Sequence, residues 1–221
     1  ALKFHSPLGD DVLLLERVDG REELGRVFEY RLTLASTDGS IDFDSLLGHP
    51  VAVALHGPRV ERYLHGHVSA INQLGYDGSH HRYGVILRPW LWFLGHSADC
   101  RIFQNQTVPE IVTAVFQDLG FSDYVLNLTE VYPVREFCVQ YRETSLDFVQ
   151  RLLEQEGIYY FFRHTNSRHE LVLVDAGSCH VPVTRYERIR FMPDEGTDKR
   201  RVEYVTTWVV GRQVVPGQFG H

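Results

Sequence analysis

Polar and apolar residues alternate in short runs over roughly the first ninety positions, and the spacing turns helical only further along. Residues 12–15, 28–34, 51–55, 63–71 and 83–87 read as strands, since an apolar side chain at every second position gives a strand one face to bury. Asp19-Gly20, Asp38-Gly39 and Asp77-Gly78, with "HGP" from His56 to Pro58, predict tight reversals between them, because glycine accepts positive φ. Strands spaced in this way predict a meander that closes into a barrel.

The middle of the chain carries two amphipathic helices. Thr107 with Glu110 three residues on is a capping-box signature, and Ile111, Val112, Val115, Phe116 and Leu119 follow at helical spacing until Gly120. A second helix begins at Thr144 or Ser145, has Asp147 in its first turn, places Phe148, Val149, Leu152 and Leu153 on one face, and ends at Gly157. It runs straight into "IYYFF", five bulky residues from Ile158 to Phe162. On a strand, Tyr159 and Phe161 face one way and Ile158, Tyr160 and Phe162 the other, so neither face suits water. We expect one face to lie under the helices that Phe116 and Leu152 anchor. The other is expected in a barrel interior or a subunit interface.

The polar "RHTNSRH" that follows reads as a loop, and residues 170–174 as the returning strand of a hairpin. From Arg185 onward, "YERIRFMP" and "RVEYVTTWVVGRQV" again have strand character. The chain begins at Ala1 without a methionine and ends at "VPGQFGH", which suggests a piece of a longer polypeptide.

Composition narrows the functional classes. Of 221 residues, 43% are hydrophobic, enough for a globular protein with a sizeable core. A net charge of −7 with no basic cluster argues against nucleic acid as a partner. The aliphatic run from Val12 to Leu15 is far too short for a signal-peptide core or a membrane span. Cys100, Cys138 and Cys179 are odd in number and widely spaced, which fits reducing cytosol better than a disulfide framework.

The search for chemistry assigns no catalytic, cofactor-binding or metal-binding residue. Among twelve histidines, His65 and His67 share a strand face and His80-His81 lie across a hairpin, but zinc needs three or four converging ligands and no H-E-x-x-H is present. Ser178-Cys179-His180 follows Gly177, yet neighbours on an extended chain point apart and do not share a proton. Asp42 with Asp44, and Glu154 with Glu156, sit in plainly polar surroundings and read as solvated faces. Phosphate-cradling glycine motifs are absent.

The segment "REFCVQYRETSLDFVQRLLEQEGIYYFFRH", residues 135–164, resembles the most recognisable stretch of the VgrG family, the spike proteins of bacterial type VI secretion systems. "RYLHGHVSAI" from Arg62, "YGVILRPWLWFL" from Tyr83, "CRIFQNQTVPEIV" from Cys100 and "HELVLVDA" from His169 agree in order, so the resemblance covers nearly the whole chain. It implies the amino-terminal, phage-baseplate-hub-like region of such a spike. The implied fold is mainly β with α+β insertions: barrel-like domains of the phage tail hub type, decorated by two helices. The expected organisation is a β-barrel-like hub domain over residues 1–96 and an α+β barrel-like hub domain with both helices over 97–184. Returning strands over 185–221 would then lead into a longer C-terminal part. The family's oligonucleotide-fold-like module and β-helical needle have no counterpart up to His221.

The resemblance further implies a structural protein and not an enzyme. Three chains with two barrel-like units each would form a pseudo-sixfold ring on which the hexameric tube protein Hcp can stack, since duplication lets a threefold assembly meet a sixfold one. Its partners would be itself, an Hcp-like tube protein and baseplate components, with membranes met only by puncture through the spike and with no cofactor and no small-molecule substrate. It would assemble in the cytoplasm and leave through the type VI apparatus without a signal peptide. A separate phage or phage-like tail hub subunit is the nearest alternative. A metal-dependent hydrolase using His65, His67 and a carboxylate is a remote one.

Overall fold

Strand alternation dominates the architecture. The computed structural model describes residues 2–9, 11–56, 61–184, 186–192 and 204–212, and they fall into two units, Ala1–Cys179 and His180–His221. In the first unit, β1 (Leu2–His5), β2 (Leu14–Arg21), β3 (Glu29–Ser36), β4 (Pro50–His56), β5 (Glu61–Tyr76) and β6 (His81–Arg88) form one sheet in the order β1-β4-β5-β6-β3-β2. Every pairing in it is antiparallel. The edge strands β1 and β2 come into contact, so the sheet curls into a half-barrel. Its concave side holds a core that includes Phe4, Phe28, Tyr30, Leu34, Val53 and Leu87.

β5 is long enough to serve two partners. Its first half pairs with β4 and its second half with β6, and bulges at Val68/Ala70 and Gln73/Gly75 bend it between the two. The reversal expected at Asp19-Gly20 is not there. Both residues lie inside β2, opposite Arg31 and Tyr30, and a Cβ on Gly20 would stand 2.5 Å from the Tyr30 ring. That glycine serves a close approach, not a turn. The apolar run at residues 12–15 likewise marks only the start of β2, whose charged remainder, with Glu16, Arg17, Asp19 and Arg21, suits an exposed sheet edge. Asp77-Gly78 does form the β5–β6 turn. Gly57 and Pro58 of the "HGP" segment lie outside the described residues.

A 3-10 helix, Trp90–His96, leads from the sheet into a second core. There β7 (Ala98–Gln106) pairs with β9 (Arg135–Thr144) as a two-stranded ribbon. A separate sheet runs β10 (Tyr159–His164), β11 (His169–Val174), β8 (Tyr124–Asn127), with β8 parallel to β11. Helix α1 (Val108–Asp118) begins with the full capping box between Thr107 and Glu110, and α2 (Ser145–Gln155) begins with the Thr144 hydroxyl accepting from the Asp147 amide. Ile111, Val112, Val115, Phe116, Phe148, Val149 and Leu152 have no exposed surface, as their spacing predicts, whereas Leu119 stays 37% exposed because the helix has already ended.

The aromatic strand turns one face to the helices as expected. Ile158 and Tyr160 lie in the second core with Phe116 and Leu152, and Phe162 packs against both cores. Tyr159 and Phe161 are half-buried.

In the second unit, β12 (Arg190–Phe191) and β13 (Tyr204–Val205) form a short parallel pair. These are the described parts of the two strand segments read after Arg185, since residues 193–203 and 213–221 are not described. Val183, Phe191, Trp208 and Val209 are among its exposed apolar residues. No helix among the described residues is long and apolar enough to cross a membrane.

Candidate functional site

Two features stand apart from ordinary packing: a buried group of imidazoles and an exposed apolar ribbon. The imidazoles lie where the first sheet meets the second core. β5 contributes His65 and His67, whose ring centroids are 6.3 Å apart on one strand face, as their spacing predicts. β10 and β11 contribute His164 and His169, which are paired across the hairpin. The polar run around these last two predicts a loop. The reversal is tighter than that: the Thr165 hydroxyl accepts from the Ser167 and Arg168 amides, so the strands extend to both histidines.

Hydrogen bonds fix the roles of ring nitrogens on His65, His164 and His169, whereas the buried His67 Nδ1 has no partner. The Trp90 amide is a first-turn donor of its 3-10 helix, and no cap residue satisfies it. It donates to His169 Nε2 at 2.9 Å. His169 Nε2 is therefore a lone pair, and the proton of the neutral ring sits on Nδ1, 2.9 Å from His65 Nδ1. That leaves the His65 proton on Nε2. His164 Nδ1 stands 3.1 Å from both the amide and the carbonyl of His65. The β5–β6 ladder begins only at His67, so a ring supplies the partner that a strand would supply elsewhere. On its far side, His164 Nε2 lies 3.4 Å from the Tyr30 hydroxyl, which itself donates to Glu22 at 2.6 Å.

Aromatic rings close the group. Phe28 stands 5.0 Å from both Phe162 and His164 and 5.6 Å from His169, measured between centroids. Gly66, between the two β5 histidines, is what lets Phe28 this close: a Cβ there would meet the Phe28 ring at 3.3 Å and the Arg88 carbonyl at 3.2 Å. Burial, followed by repulsion from neighbouring imidazoles, pushes the His65 pKa down to about 4 and that of His169 to about 2. Burial also lowers the pKa of His67, against a nearby Asp123, and that of His164, against Glu22. A cleft of about 210 Å³ opens beside the group, with His67, Trp90, Phe121 and Asp123 in its walls.

His169 uses both ring nitrogens on protein partners, His65 Nδ1 meets His169, and His164 Nδ1 meets the His65 backbone, so binding a metal there would cost those bonds; the buried His67 Nδ1 has no hydrogen-bond partner. No group of three or more ligand side chains among the described residues converges on a metal position.

The other sequence candidates do not join this site. His81 packs on Tyr76 at 4.7 Å, beyond the β5–β6 turn. Ser178 and Cys179 lie in a short 3-10 turn, where the Cys179 thiol donates to the Asn127 carbonyl. Asp42 accepts from the Asp44 amide in a local turn, and Glu156 pairs with Arg135.

The second feature is the outer face of the β7–β9 ribbon. Inward, Phe103 and Cys138 face the second core, and Gln140 is fully buried, accepting from Arg101 and donating toward Ser145. Outward, Ile102 and Val139 are directly opposed, with Phe137 and Tyr141 flanking them, and each of the four is between 47% and 65% exposed. Charged residues would be expected on a solvated ribbon, whereas here four apolar side chains stand exposed in a row.

The profile of the phage tail baseplate hub (GPD) family matches residues 21–221 of the chain. Two type VI secretion system spike proteins of Pseudomonas aeruginosa, VgrG1c and VgrG1b, are 49% and 48% identical to it over 96% and 98% of its length. The chain spans 29% of the length of either relative. Among solved structures, the c3393 protein of Escherichia coli matches with a TM-score of 0.72 at 31% identity, over 88% of this chain and 53% of its own. That protein is described as a component of the type VI secretion system with structural similarity to the T4 bacteriophage tail proteins gp27 and gp5.

Proposed function

The chain belongs to the phage tail baseplate hub family, and its resemblance to type VI spike proteins holds over nearly its whole length; on that premise we propose that it is the hub portion of a type VI secretion spike. In this reading it is a structural adaptor. As part of the full-length protein it trimerises, and two barrel-like units per chain offer a pseudo-sixfold ring to a hexameric tube protein of the Hcp kind. Residues 1–96 and 97–184 are the two hub domains, and residues 185–221 lead onward from them. Assembly takes place in the cytoplasm, and the protein leaves with the tube through the type VI apparatus.

The observation that carries the reading is the pairing of a curled six-stranded sheet with a second, helix-covered sheet, the arrangement shared with a type VI component at a TM-score of 0.72. The exposed row Ile102, Phe137, Val139 and Tyr141 supports it by giving the chain an apolar face for another copy of itself. The hydrogen bonds of His65 and His169 to each other and to the Trp90 amide support a structural role for that pair, while the buried His67 Nδ1 has no hydrogen-bond partner. The family name favours one further reading, a separate phage or phage-like tail hub subunit.

Light scattering of the native polypeptide, alone and mixed with the tube protein of the same bacterium, tests the proposal. Three chains per particle and a complex with the hexamer are expected. A monomer that ignores the tube protein would overturn it. Mapping peptides of the endogenous protein separates the two family readings: a fused spike continues well past His221, and a separate tail hub stops near it.

A further inference from the structure

The seam between the two cores depends on a chain of bonds that works in only one protonation state. Trp90 donates to His169, and His169 donates to His65. A proton added at His169 Nε2 would face the Trp90 N–H. One added at His65 Nδ1 would face the N–H of His169. Either addition sets donor against donor and removes a bond between elements 79 or 104 positions apart in sequence. His164 differs, because its Nδ1 is as close to the His65 carbonyl as to the His65 amide, and it can take a proton by exchanging one partner for the other.

We propose that His65 and His169 form an acid-sensitive latch: neutral, they fasten the β10–β11 hairpin to β5 and to the start of the Trp90–His96 helix, and proton uptake by the pair unfastens the seam while each core keeps its own packing.

The charged groups around the seam leave this pair alone. Glu22 and Arg62 act on His164, while Asp123 and His49 act on His67, with Arg168 paired to Asp123 at 3.7 Å. The groups acting on His65 and His169 are other imidazoles and the Ser167 backbone, so burial prevails at both rings. The cleft beside Trp90 and His67 gives solvent a route to the seam. A released histidine takes its proton near the ordinary pKa of about 6.5. The latch is therefore whole above that pH and weakens as pH falls from it toward about 4, where folded His65 itself begins to protonate. Over that window the opening equilibrium should rise about tenfold per pH unit for each proton taken up.

Amide hydrogen exchange of the 221-residue chain, expressed as protection factors between about pH 7 and pH 4, reads the latch directly. The Trp90 and His65 amides are expected to lose protection at least about tenfold per unit below roughly pH 6, while Ile111 and Val115 in α1 hold theirs. His169→Gln keeps an acceptor for Trp90 and a donor for His65 but cannot titrate, and it should flatten the Trp90 profile. A Trp90 profile that does not depend on pH, one that falls in parallel with Ile111, or an unchanged slope in His169→Gln would each overturn the proposal. If that variant does not fold, the contrast between Trp90 and Ile111 in the unmodified chain decides the matter alone.

Discussion

Replacing Phe28 by alanine removes the side chain that joins the first sheet to the hairpin of the second core. Phe28 is 1% exposed, stacks on Tyr30 at 4.7 Å, and meets Phe162, His164 and His169 edge-on or tilted. A buried aromatic ring takes on the order of 150–250 Å² out of water, about 4–6 kcal/mol at roughly 25 cal/mol/Å². Alanine recovers part of this through its own methyl and through partial collapse of the cavity, leaving a cost of about 3–5 kcal/mol. For a unit of this size that lowers the melting temperature by about 6–20 °C. Phe28→Leu keeps most of the apolar volume and loses the ring contacts, so about 1–2 kcal/mol is expected. Thermal and urea unfolding followed by circular dichroism measure both variants. If Phe28→Ala costs less than about 1 kcal/mol, or Phe28→Leu costs as much as Phe28→Ala, then Phe28 does not pack the seam as described.

Further outcomes follow from single contacts. Thr107→Ala removes one half of the α1 capping box and should cost about 1 kcal/mol in urea unfolding. Gly20→Ala drives a Cβ into the Tyr30 ring and should cost about 1–3 kcal/mol, whereas Gly177→Ala, which meets open space, should be nearly silent in the same melt. Asp175 accepts from Thr129, Glu130 and Tyr132, and although its burial works against the charge, these bonds hold its pKa down at about 2. Because the folded value lies below the unfolded 3.8, this contribution is complete above 3.8 and fades as pH falls toward about 2. Asp175→Asn should remove that pH dependence from the exchange of the Thr129 and Glu130 amides.

Local signals in the sequence proved reliable where the physics is local. The capping box at Thr107 and Glu110 and the spacing from Ile111 to Phe116 determine α1 within about three turns of chain, so its start and most of its buried face are legible, while Leu119 falls just past its end. Asp19-Gly20 misled for the opposite reason. The dipeptide has turn chemistry, but the glycine answers to Tyr30 on the neighbouring strand, which no window around position 20 reveals. β1, four residues near the start, carried too little pattern to be read. His65 and His67 were recognisable as sharing a face, yet what that face meets comes from His164 and His169 about a hundred positions later, hidden in a segment whose polarity reads as a loop. The cross-strand placement of that histidine pair, on a hairpin that follows an all-apolar run, is the signal that could have found it.

The amide of Trp90 has a bearing on the order in which the molecule is made. All six strands of the first sheet have been synthesised by Arg88, but the acceptor for Trp90 arrives with His169, 79 residues after Trp90 itself. The backbone hydrogen bonds of α1 and α2 are local, so these helices do not wait for His169 to be turned. The seam does wait. Until β11 is complete, Phe28 and His65 face water and the Trp90–His96 turn lacks its first partner, so joining the two cores is the late step of folding. Ribosome-bound chains halted before and after His169 should therefore differ sharply in how readily proteases cut near Trp90.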